Sequence, residues 1–150
     1  MLVAWRLTKT RHDPWDGTGA MRLGARWDSP GRSVIYASDT FAGAILQILA
    51  HALRPRTLPG AHHAIRIAIP DEIVERIDDA AVPGWETRDS EAALDYGDRW
   101  HRSRRSAVLL APALPSRPVG RSVLINPHHG DVGRIERSAP FAVAWDERLF

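Results

Sequence analysis

Apolar positions in this chain come in short bursts separated by polar stretches rich in glycine and proline. The first burst, residues 3–7 (VAWRL), predicts a strand. Thr8–Gly31 is polar, and Gly17, Gly19, Gly24 and Gly31 argue against a regular helix within it. Ser33–Ala37 (SVIYA) predicts a second strand. The strongest periodic signal comes next. Asp39 or Thr40 can cap a helix running to about Leu53, with Phe41, Ile45, Leu49 and Ala52 on one stripe and Leu46 and Leu53 widening it. Arg54-Pro55 ends it, because a residue before proline avoids helical backbone.

Beyond that helix, Ala64–Ile69 alternates, which puts Ile65, Ile67 and Ile69 on one buried face of a strand. Pro70 followed by Asp71 and Glu72 suits the start of a short helix. Leu94–Arg102 predicts a further helix that continues past Gly97. Ala107–Ala111 and Ser122–Ile125 predict two strands joined by a proline-rich turn, and Phe141–Ala144 a last one. Short strands around one firm helix, without regular βαβ spacing, predict an α+β fold. It should be one compact domain over 1–150 with a twisted mixed sheet.

Composition narrows the chemistry. With 44% hydrophobic and 25% charged residues, the chain can build an ordinary core and is not disordered by default. The absence of cysteine excludes a disulfide scaffold, a thiol nucleophile and thiolate zinc sites. No apolar run approaches the length of a membrane span or a secretory leader, so a cytoplasmic protein with no membrane partner is expected. The net charge is only +2, and the Arg102–Arg105 run is too short a basic footprint to predict nucleic-acid binding. Lys9 is the sole lysine, so nearly every cation is an arginine, the side chain suited to forked binding of phosphate or carboxylate.

Several polar residues sit against apolar elements and so carry a functional reading beside a plain one. Arg6, inside the first strand, is either an edge-facing arginine or an anion clamp. Arg26 lies in the glycine-flanked GARWD segment, where backbone can approach a ligand while the guanidinium grips it. Tyr36 can simply pack, or stack on a flat heterocycle. Gln47 and His51, four residues apart, share one helix face beside the apolar stripe, turned either to solvent or to a cleft. The adjacent pairs His62-His63 and His128-His129 point apart, and no clustered carboxylates or HExxH motif accompany them, so no metal site is expected.

Read in order, WR at 5–6, GARWDSPGRSVIYAS at 24–38, LQILAH at 46–51, IRIAIPD at 65–71, PGW at 83–85, GDRW at 97–100, VLLAPA at 108–113, LINPHH at 124–129 and the terminal DERLF resemble the RES-domain family. These are toxins paired with antitoxins that carry an Xre-type helix-turn-helix. The resemblance implies a fold like that of diphtheria-toxin-like ADP-ribosyltransferases, NAD+ as co-substrate and an Xre-type antitoxin partner. It also implies a mono-ADP-ribosyltransferase acting on a cellular target protein. NAD+ hydrolysis or phosphorolysis, and a weakly active binding-only relative, are the alternatives. By resemblance, Arg6, Arg26 and Tyr36 line the NAD cleft, Gln47 takes the place of the family's glutamate, with His51 beside it, and Asn126 matches the family asparagine. The family's serine falls near Ala113, and the segment before the LINP stretch reads Gly120-Arg121-Ser122, so this chain departs from the family pattern there and at Gln47. An amide at Gln47 still binds a ribose hydroxyl but carries no charge to stabilise a ribosyl cation or orient water. That departure favours transfer to a protein over hydrolysis.

Overall fold

The computed structural model describes residues 1–52, 54 and 56–150. Eight strands form one curled mixed sheet, and three helices pack around it, an α+β fold as expected. The chain runs β1 (Leu2–Lys9), α1 (Thr18–Leu23), β2 (Ile35–Ser38), α2 (Phe41–Ala50), β3 (His62–Ile69), β4 (Val74–Arg76), α3 (Glu91–Ser103), β5 (Val108–Pro112), β6 (Arg121–Ile125), β7 (Glu136–Arg137) and β8 (Phe141–Ala142). The sheet order is β4-β5-β6-β2-β1-β3-β7, with β8 also on β3. Every pairing is antiparallel except β4 with β5.

Strand alternation sorts the apolar residues onto two faces. Ala4, Ile35, Ala37, Ile65, Ile67, Ile69, Leu110, Val123 and Ile125 make one core. Leu109, Ala111 and Leu124 point the other way and pack with Trp27, Trp85, Ala93 and Trp100 under α3. The expectation that β3 buries one face falls short, because Ala64 and Ala68 on its second face are also buried. Ala64 lies beneath α2 and beside Leu7 and Ala44, so the helix shields what sheet alternation alone would leave to water.

The helices differ from expectation in instructive ways. Glycines do not prevent α1: Gly17 and Gly24 stand just outside it, Gly24 at φ 70, and only Gly19 lies inside. The Asp16 carboxylate accepts the Thr18 N–H at 2.9 Å and so supports its start. In α2 the cap is Thr40, whose Oγ accepts the Gly43 N–H, while Asp39 accepts the Arg121 N–H instead. The stripe that packs on the sheet is Phe41, Ala44, Ile45 and Ile48 rather than the expected Phe41–Ile45–Leu49–Ala52 set. α2 ends at Ala50, before its expected end, and Leu53 and Pro55 lie outside the described residues. The start at Pro70 yields only a single turn, Asp71–Ile73, before the chain extends into β4. α3 begins at Glu91 under the Ser90 cap, three residues ahead of expectation. Among the described residues, no helix is long and apolar enough to cross a membrane.

Candidate active-site cleft

On the face that carries Tyr36, a cavity of about 960 Å³ opens between β1, β2, α2 and the 24–27 loop. Register explains its floor. Trp5 pairs with Ser38 and Ser38 with Ser122, so these residues share one face with Tyr36, and all of them line the cavity. β1 and β2 pair only at Trp5, which leaves a gap between them for the Arg6 side chain.

That guanidinium is heavily committed. Its Nε donates to Pro14 O at 2.6 Å, Nη1 to Tyr36 O at 2.6 Å and Nη2 to Asp16 O at 3.2 Å. Burial pulls its pKa down to about 10, against the pull of Asp16 and Asp13, and it stays cationic at neutral pH. Arg6 is thus a rivet between β1, β2 and the 14–16 loop as well as part of the cavity wall. Arg26 also lines the cavity, and its Nη1 donates to Trp85 O at 2.9 Å and Thr87 O at 3.0 Å, holding the 85–87 segment against it. Its Nε and Nη2 have no partner among the described residues.

Gln47 and His51 reach the same cavity from α2. The Gln47 carbonyl accepts from His51 Nδ1 at 2.7 Å, which places the neutral ring's proton on Nδ1 and leaves Nε2 open as an acceptor. The Gln47 side-chain amide has no partner among the described residues and is available to a ligand. Around the cavity the charges are unequal: Arg6, Lys9, Arg26 and Arg54 are cationic, and among the described residues Asp16 is the single acid lining it. Such a wall suits an anionic ligand. Among the described residues, no three His, Asp or Glu side chains converge as a metal site would need.

Asn126 is placed elsewhere. It is fully buried at the end of β6, where its N–H donates to Ala107 O and its Oδ1 accepts the His128 N–H at 3.0 Å. Those bonds build the turn after β6, and Asn126 is not among the residues lining the cavity. Ala113 is likewise buried behind it, while its neighbours Pro112, Leu114 and Pro115 form the wall.

Sequence reasoning passed over Asp28. This carboxylate is 1% exposed, and its Oδ1 accepts a hydrogen bond from the Tyr36 hydroxyl. Its Oδ2 has no partner among the described residues. Burial raises its pKa to about 6, Tyr36 opposes that rise, and Asp98 adds to it. Burial likewise pushes the Tyr36 phenol well above its ordinary value, with Asp28 adding to the effect, so the phenol stays neutral. A lone Asp after Trp27 gives no local sign that it will be dehydrated; β2 and α3 closing on the 24–28 loop do that.

A sequence model of the RES domain matches residues 3–146. The chain belongs to the RES-domain family. One similar relative is the "Prs ADP-ribosylating toxin" of Sphingobium sp. (strain YBL2), 30% identical over 91% of this chain and 87% of its own length. A second is "Toxin Res" of Pseudomonas putida, 31% identical over 85% of this chain and 86% of its own. Among solved structures, the M. tuberculosis MbcT–MbcA toxin–antitoxin complex contains a chain superposing with a TM-score of 0.72 at 19% identity, covering 94% of this chain and 83% of that one. That likeness carries the fold. The RES-domain match spans the whole cleft, from β1 with Arg6 through α2 with Gln47 to the 112–115 wall.

Proposed function

We propose that this RES domain is the toxin of a toxin–antitoxin pair that breaks the nicotinamide–ribose bond of NAD+ and passes ADP-ribose to a cellular protein. The observation that carries the reading is the convergence of Arg6, Arg26, Tyr36, Gln47 and His51 on one cationic cavity. The names of the relatives, an ADP-ribosylating toxin and a Res toxin, support the same chemistry and role.

In this reading the open Nε and Nη2 of Arg26 grip the pyrophosphate, and Arg6 adds its buried positive charge. The Tyr36 ring supports the nicotinamide side. The glycosidic bond breaks with its electron pair leaving on nicotinamide, and a nucleophile of the target protein closes on the ribosyl carbon from the opposite face. Gln47 binds a ribose hydroxyl through its amide but supplies no charge to that carbon or to an attacking water. Water is thereby a poor acceptor, and transfer is favoured over hydrolysis.

Two measurements test this. Cell lysate incubated with the purified protein and NAD+ should yield a protein carrying added ADP-ribose by mass spectrometry; NAD+ loss with no modified protein would turn the reading to hydrolysis. Gln47→Glu should raise acceptor-independent nicotinamide release by about tenfold, the scale of a modest general-base or electrostatic gain. Release no faster than wild type, from a folded variant that still binds NAD+, would remove the role given to Gln47.

A further inference from the structure

Tyr36 stands between two environments. It lines the cavity, and its side chain packs on the core that holds Trp27, Val34 and Leu124. Its hydroxyl is spent in the wall: it donates to Asp28 Oδ1, and the Trp27 backbone N–H faces the Tyr36 hydroxyl oxygen. Asp28 is buried and does not line the cavity.

Little else answers the Asp28 charge. From α3, Asp98 faces it and repels it. Arg32 attracts it but sits 3.6 Å from Asp98 Oδ1, and Asp98 also takes the Ser29 N–H and hydroxyl. Dehydrating a carboxylate this poorly compensated opposes folding. What the arrangement provides is one tether, a charge-assisted bond that stops the Tyr36 ring from turning about its side-chain bonds.

We propose that Asp28 is a positioning residue: by taking the Tyr36 hydroxyl it locks the ring, so that Tyr36 meets the dinucleotide with its aromatic face and not with its oxygen. This rests on the cavity being the NAD+ site. It assigns the tyrosine a stacking role, and it gives the buried acid a purpose that acts on binding through Tyr36.

The test is a double-mutant cycle on the purified chain, with NAD+ affinity from calorimetry and KM and kcat from nicotinamide release. Tyr36→Leu removes the stacking face and should weaken NAD+ by on the order of tenfold or more. Tyr36→Phe keeps the face and loses the tether, and should weaken NAD+ by about threefold. Asp28→Asn keeps an acceptor without charge and should have the same effect of about threefold, falling on KM and not on kcat. The double variant should match either single one rather than multiply them. Wild-type KM should rise by a similar factor, about threefold, as pH falls through about 6 and Asp28 takes a proton, while Asp28→Asn stays flat. A Tyr36→Phe loss as large as that of Tyr36→Leu would mean that the hydroxyl itself touches the ligand and would overturn the proposal. Multiplying effects in the double variant would overturn it as well. Wild type that neither binds nor consumes NAD+ would instead defeat the parent reading, and this inference with it.

Discussion

Asp28 shows how one side chain can work against stability while serving a site. Its folded pKa, about 6, lies above the ordinary 3.8, so the folded protein binds this proton more tightly than the unfolded chain does. The cost of the buried charge is therefore fully present above about 6, shrinks as pH falls, and is gone below about 3.8. Asp28→Asn should stabilise the protein at pH 7.5 by on the order of 2–3 kcal/mol, and the gain over wild type should vanish near pH 4. Thermal or urea unfolding of both proteins across that range checks it; a variant no more stable than wild type at pH 7.5 would refute it. Arg6 behaves differently. Its buried charge is answered by Pro14, Tyr36 and Asp16 carbonyls, and it ties three segments together. Its presence within an apolar strand was legible from the sequence, but its partners were not, because Pro14, Asp16 and Tyr36 are brought to it by the gap between β1 and β2.

At the scale of elements, Gly97 decides how α3 sits. A Cβ built there would lie 1.5 Å from the Trp27 carbonyl oxygen, which is backbone and cannot step aside. The helix runs straight through this glycine, as its flanking pattern predicts, and uses the missing side chain to press on the 24–28 loop. Beside it, Asp98 accepts from Ser29, so the same turn of α3 fixes the loop that carries Arg26 and Asp28. Gly97→Ala gains helix propensity of about 1 kcal/mol but must push that contact open, so it should destabilise the fold by about 2–3 kcal/mol net. Unfolding midpoints measure this, and a variant more stable than wild type would show that the contact is easily relaxed. α2 teaches the complementary lesson. Its existence and its Thr40 cap follow from local pattern, yet its buried stripe is rotated toward Ala44 and Ile48, because the apolar surface of Leu7 and Trp5 lies on that side. Periodicity locates a helix better than it orients one when apolar residues nearly encircle it.

At the scale of the molecule, the proposed toxin role predicts a growth phenotype. Expressing the chain alone in bacteria should slow growth, and co-expressing the neighbouring antitoxin gene should restore it; equal growth in both cases, with soluble protein present, would count against the toxin reading. A partner that fills the cavity would meet Arg26, Gln47 and His51 together, since all three line it. Much of this was open to reading from the chain alone. Alternation and periodicity located β1, β2, β3, β5, β6, α2 and α3, because whether a side chain is buried in a strand or helix depends on spacing over only a few residues. The ordered motifs carried the family. Tertiary structure decided the rest: the order β4-β5-β6-β2-β1-β3-β7, the short β4 and β7, the burial of Asn126 in a turn away from the cavity, and the union of Asp28 with Tyr36. These depend on pairings between segments far apart in sequence and on the loss of water that such pairings cause. A carboxylate's local sequence does not say whether another strand will cross above it and dry it.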